Sequence, residues 1–67
     1  MEHNQNYLFS QLEEFAGGDY SMEQYGKEIV GEHFIVLRHN TKDLVHSYVL
    51  TGIQGGEYVY KCIYSDL

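Results

Sequence analysis

The stretch His33–Tyr64, HFIVLRH NTKD LVHSYVLTGI QGG EYVYKCIY, decides the fold. Its three runs, His33–His39, Leu44–Ile53 and Glu57–Tyr64, are rich in Val, Ile, Leu, Phe and Tyr. β-Branched and aromatic side chains fit the pleated surface of a strand and lose rotamer freedom in a helix. The breaks between the runs are short. Asn40-Thr41-Lys42-Asp43 has turn formers at both ends, Gln54-Gly55-Gly56 is a second turn, and Gly52 marks a site for a bulge. Consecutive strands joined by loops this short pair antiparallel, so the C-terminal half reads as a three-stranded meander.

The two sides of these strands can be compared residue by residue. The first strand offers Phe34 and Val36 against Ile35 and Leu37. The second offers Val45, Val49 and Thr51 against Leu44, Tyr48 and Leu50. The third offers Val59 and Ile63 against Tyr58, Tyr60, Cys62 and Tyr64. None alternates cleanly between apolar and charged residues, as a sheet with one wet face should. One short helix covers one side, so the other is expected to be an interaction surface. Tyrosine combines contact area with a polar tip, which makes Tyr48, Tyr58, Tyr60 and Tyr64 the expected dimer or second interface. The alternative is that an N-terminal arm or second helix folds over that side.

Upstream, residues 5–16 read as an amphipathic helix. Leu8, Leu12, Phe15 and Ala16 fall at i, i+4, i+7 and i+8, Asn4 or Asn6 is placed to cap the start, and Gly17-Gly18 suits a left-handed stop. Ser21 and Gln24 match a capping box, which predicts a short second helix or turn ended by Gly26, or one running to Val30 and ended by Gly31. The expected architecture is a two-layer α+β domain spanning residues 1–67: an N-terminal helix, a short second helix or turn, then a three-stranded antiparallel meander, with residues 1–4 disordered.

Charge is segregated along the chain. Residues 1–32 hold Glu2, Glu13, Glu14, Asp19, Glu23, Glu28 and Glu32 against Lys27 alone; residues 33–67 hold Asp43, Glu57 and Asp66 against Arg38, Lys42 and Lys61. The net charge of −6 therefore lies in the first half. Four bases are too few for a phosphate-binding stripe, which argues against direct nucleic-acid binding. No run approaches the ~20 apolar residues of a membrane span. The polar start MEHNQN lacks the basic and apolar regions of a signal peptide, so a cytoplasmic location is expected. With 43% hydrophobic residues the composition is that of a folded chain.

Catalytic patterns are missing. Cys62 is the single cysteine, which excludes an intrachain disulfide and reads as a small buried hydrophobe. His3, His33, His39 and His46 lack the paired short spacings of a structural zinc site; His39, His46 and Asp43 flank one turn and make at most an adventitious one. Ser10, Ser21, Ser47 and Ser65 have no nucleophile-elbow context, and Gly55-Gly56 lacks the lysine and helix of a phosphate loop. The expectation is no enzyme, no cofactor and no metal. It is instead a small acidic inhibitor of the type phages and mobile elements encode, blocking a basic surface of a nucleic-acid-processing protein by charge mimicry. Glu13, Glu14, Asp19, Glu23, Glu28 and Glu32 supply the charge and Tyr20 and Tyr25 the contact area. The alternative is a homodimeric structural or regulatory adaptor that uses the tyrosine-rich side of the sheet.

Overall fold

A computed structural model describes residues 4–66, and its elements run β1 (Asn6–Leu8), α1 (Phe9–Ala16), β2 (Tyr20–Tyr25), β3 (Phe34–His39), β4 (Val45–Gln54) and β5 (Glu57–Ser65). The expected meander is present as β3, β4 and β5. The rest of the expected α+β layout is overturned: the sheet has five strands in the order β1-β5-β4-β3-β2, every pairing antiparallel, and α1 is the one helix among the described residues. Residues 1–3, including Glu2, His3 and most of the segment expected to be disordered, lie outside the described residues; Asn4 donates its N–H to the Cys62 carbonyl.

Two segments read as helical are strands, for the same reason. Ser21-Met22-Glu23-Gln24 has the residues of a capping box, but a four-residue signal competes here with β3. All six residues of β2 pair in register with it, from Tyr20 opposite His39 to Tyr25 opposite Phe34. Asn6-Tyr7-Leu8 likewise pairs with Lys61, Tyr60 and Val59. Short helices are marginal alone, and tertiary pairing outweighs local propensity. Leu8 is extended, at φ −77° and ψ 153°, and forms the N-cap of α1. The helix start is held by the Leu8 N–H on Gln11 Oε1 at 2.7 Å and by the Ser10 N–H on Glu57 Oε1 at 3.0 Å, not by Asn4 or Asn6. Its end also departs from expectation: Gly17 is right-handed at φ −73° and gives its N–H to the Glu13 carbonyl. The left-handed glycine that matters is Gly26, φ +81°, where a Cβ would lie 2.0 Å from the Glu32 carbonyl oxygen.

β1 and β2 occupy opposite edges and run in the same direction. A helix must therefore carry the chain across the intervening strands, and α1 does so over one face. Leu12 is its fully buried anchor, above Ile35, Leu37, Tyr48, Leu50, Tyr60 and Cys62. Tyr7, Phe9, Phe15, Ala16, Tyr20, Met22 and Tyr58 close the margins. The Tyr7 ring meets Phe15 and Tyr48 edge-on, with centroids 6.3 and 5.7 Å apart. Burial raises the Tyr48 hydroxyl and the Cys62 thiol above their ordinary values and keeps both neutral.

Candidate functional site

Two irregularities between β4 and β5 set which side chains reach the other face. The register slips between Ser47 and Tyr48, leaving Ile63 extra on β5, and between Leu50 and Gly52, leaving Thr51 extra on β4. An inserted residue switches the side on which later residues point. Tyr64 is thereby turned away from the tyrosines of its own strand and lies opposite Ser47.

The uncovered face is a short grid of cross-strand rows. Tyr25, Phe34, Val49 and Lys61 form one row across β2, β3, β4 and β5. Glu23, Val36, Ser47 and Tyr64 form the next, and Ser21, Arg38 and Val45 a third. Phe34, Val36, Val45, Val49 and Val59 are half-buried, while Tyr25 and Tyr64 are 51% and 52% exposed. The charged members of these rows are Glu23, Arg38 and Lys61, and the Asp66 carboxylate sits beside Tyr64 and Val45, so this face is near neutral while the chain carries −6. Glu23 accepts from Arg38 at 3.4 Å and from the Tyr25 hydroxyl at 3.1 Å, and the second bond raises the Tyr25 hydroxyl.

The residues expected to contact a partner are distributed over several surfaces. Glu13 and Glu14 are exposed on α1, on the covered side; Asp19 is in the turn before β2; Glu28 and Glu32 are exposed in the β2–β3 connection. Glu23 and Tyr25 lie together on the open face. Tyr20 is half-buried beside His39 and His46. Of the tyrosines expected at a dimer interface, Tyr48 and Tyr60 are interior, at 0% and 1% exposure, and Tyr58 packs against the core. Only Tyr64 of that group reaches the open face. The reason is geometric: Tyr48 and Tyr60 point to the side that α1 covers and pack there with Leu12, and the extra Ile63 turns Tyr64 the other way.

The histidines near the first turn have structural partners. His46 is fully buried between Ser65 Oγ, 2.8 Å from Nδ1, and the Tyr20 hydroxyl, 3.2 Å from Nε2, and burial lowers its proton affinity. His39 Nδ1 accepts the backbone N–H groups of Thr41 and Lys42 at 3.1 and 3.0 Å and so shapes the turn. Among the described residues no three His, Cys, Asp or Glu side chains gather as a metal site. No described helix is long and apolar enough to cross a membrane.

A cleft of about 310 Å³ opens on the helix side, lined by Phe9, Gln24, Glu28, Gly56, Glu57, Tyr58 and Tyr60. Tyr60 forms its floor, with Phe9 and Tyr58 at centroid distances of 6.3 and 6.4 Å. Burial, reinforced by the negative charge of Glu28, pushes the Tyr60 hydroxyl up to about 12. The sequence gives no sign of this cleft, because its lining comes from four separate segments.

Comparison of the chain with protein families, curated proteins and solved structures gives no match in any of the three.

Proposed function

We propose that this chain is a non-enzymatic binding protein that pairs with a second copy of itself through the open face of its sheet, and whose acidic outer surface engages a basic protein partner. The supporting observation is the uncovered face: five strands, one helix, and a half-buried patch centred on Phe34, Val36 and Val49 with no element of the described chain over it. A contiguous apolar patch of this kind on a small domain marks an interaction site.

A second copy suits this face on three counts. The first is charge. Copies of a −6 chain repel, and this face, near neutral with Glu23 and Asp66 against Arg38 and Lys61, is where they can approach with least repulsion. The second is symmetry. A two-fold axis along the strands lays β2 of one copy over β5 of the other, which places Tyr25 over Lys61 and Glu23 over Tyr64, twice each. The third is area. The largest projection of the molecule is 31 × 20 Å. Two such faces stacked bury at most about 1,200 Å², which reaches the lower bound of a standard interface. In such a dimer both α1 helices, with Glu13 and Glu14, point outward.

Light scattering tests this directly. The 7.8 kDa chain is expected to run at twice its mass at high micromolar concentration. Val49→Lys is expected to weaken association by about 100-fold while leaving the far-UV spectrum unchanged, because an unpaired charge is placed in the centre of the interface. A wild-type chain that stays monomeric at millimolar concentration overturns the proposal.

The exposed acids support the inhibitor role as a second reading. Among the described residues Glu13, Glu14, Asp19, Glu28 and Glu32 are exposed and outside the single ion pair, Glu23–Arg38. Such charge steers a basic partner and makes association salt-sensitive. Pull-down at low and high salt, with Glu13 and Glu14 reversed to Lys, distinguishes steering from contact through the sheet. Capture that ignores both salt and charge reversal removes the mimicry reading.

A further inference from the structure

Two carboxylates alone are an ordinary solvated rim. The cleft between α1, the β2–β3 connection and the β4–β5 turn differs because its walls are aromatic. Phe9, Tyr58 and Tyr60 bound a volume of about 310 Å³, with Glu28 and Glu57 at the same opening. We propose that this cleft binds an organic cation, a guanidinium or alkylammonium group, held against Phe9 and Tyr58 above the buried Tyr60 and neutralised by Glu28 and Glu57. The choice of source for that cation, though not the site, rests on the basic partner proposed above.

Three observations carry the inference. The rings supply negative faces that attract a desolvated cation, and a guanidinium can also stack on them. The carboxylates are unequally prepared: Glu57 is fixed by the Ser10 N–H on Oε1 at 3.0 Å, whereas Glu28 is exposed and, among the described residues, makes no ion pair. Glu28 lines the same opening as Tyr60, and its negative charge adds to the rise of the Tyr60 hydroxyl that burial causes. The volume is at the lower end of ligand sites, enough for a side-chain head and its alkyl stem. A bare divalent ion suits the site less well, since no third carboxylate, His or Cys gathers there among the described residues. The cleft lies on the helix side of the sheet, so pairing through the open face leaves it accessible.

The test is a titration of ¹⁵N-labelled protein followed by amide shifts. Methylguanidinium and tetramethylammonium are expected to shift Gln24, Gly56 and Tyr58 saturably with millimolar affinity, and tert-butanol, the uncharged isostere, to leave them in place. Glu28→Gln is expected to weaken binding about 3- to 10-fold, and Glu28→Gln with Glu57→Gln to abolish it. Glutamine keeps the acceptor for the Ser10 N–H, so neither variant threatens the fold. A short capped Gly-Arg-Gly peptide then separates the sources. Affinity at least 5-fold above that of methylguanidinium assigns the cation to a partner's side chain, and equal affinity assigns it to a free small cation. Absent shifts, shifts away from the cleft, or an equal response to tert-butanol overturn the site. Repeating the titration on Val49→Lys keeps failure of the cleft distinct from failure of the dimer.

Discussion

The two faces of one sheet have opposite fates. Leu50 and Val49 are neighbours on β4, yet Leu50 is 2% exposed under the helix and Val49 is only half-buried on the open side. Ile35 and Phe34 repeat the contrast on β3. The strand residues are apolar on both sides, so hydrophobicity does not separate the faces. What separates them is that among the described residues a single segment, eight helical residues long, crosses the sheet, and it can cover one side only. The covered side holds the fold together. The other side keeps its apolar contact surface free of the described chain.

Truncation on the two faces should differ most. Leu50→Ala, or Leu12→Ala above it, is expected to cost about 2–5 kcal/mol in chemical denaturation, enough to unfold much of a domain this small. Val49→Ala, measured in dilute solution where association is negligible, is expected to cost about 1 kcal/mol or less. Equal losses would mean that the open face is packed as tightly as the core and would remove the distinction. A backbone change comes next. Gly26→Ala is expected to cost about 1–3 kcal/mol, because alanine must adopt φ +81° and meet the Glu32 carbonyl oxygen.

Acid should act through the covered side. Burial lowers His46 below the ordinary imidazole value of about 6.5. The unfolded chain then binds a proton more readily than the folded one. The contribution of His46 is fully present above about pH 6.5 and is lost as the pH falls through that value toward the depressed one. Tyr20, Ser65 and nearby Asp66 face this ring; Asp66, held low by the Tyr64 hydroxyl and the Val45 N–H, adds its own loss in stronger acid. Denaturation midpoints at pH 7 and pH 5.5 should therefore differ in the wild type and converge in His46→Gln. The smallest effect is expected on the open side: Arg38→Ala breaks an exposed ion pair and should change stability by less than about 0.5 kcal/mol.

Reading along the chain recovers β3, β4 and β5 and their two connections, because a dense run of β-branched and aromatic residues between turn formers leaves little choice. It also recovers the excess of apolar faces over covering elements. It misreads β1 and β2, whose polar residues Asn6, Ser21, Glu23 and Gln24 carry no β signal of their own and pair because β5 and β3 offer them a backbone ladder. The expected tyrosine interface fails to assemble for a related reason. Tyr48 and Tyr60 face Leu12, and the extra Ile63 turns Tyr64 the opposite way. A one-residue slip in pairing is invisible in composition but reverses every side chain beyond it.

The charge, the three-stranded centre, the buried cysteine and the surplus of apolar surface follow from residue types and their short-range spacing. Which face the helix covers, the strand gained at each edge, and the cleft shared by Phe9, Glu28, Glu57, Tyr58 and Tyr60 emerge only in the folded chain. Those outcomes depend on contacts between segments up to about fifty positions apart, whose energies come from pairing and packing rather than from local preference.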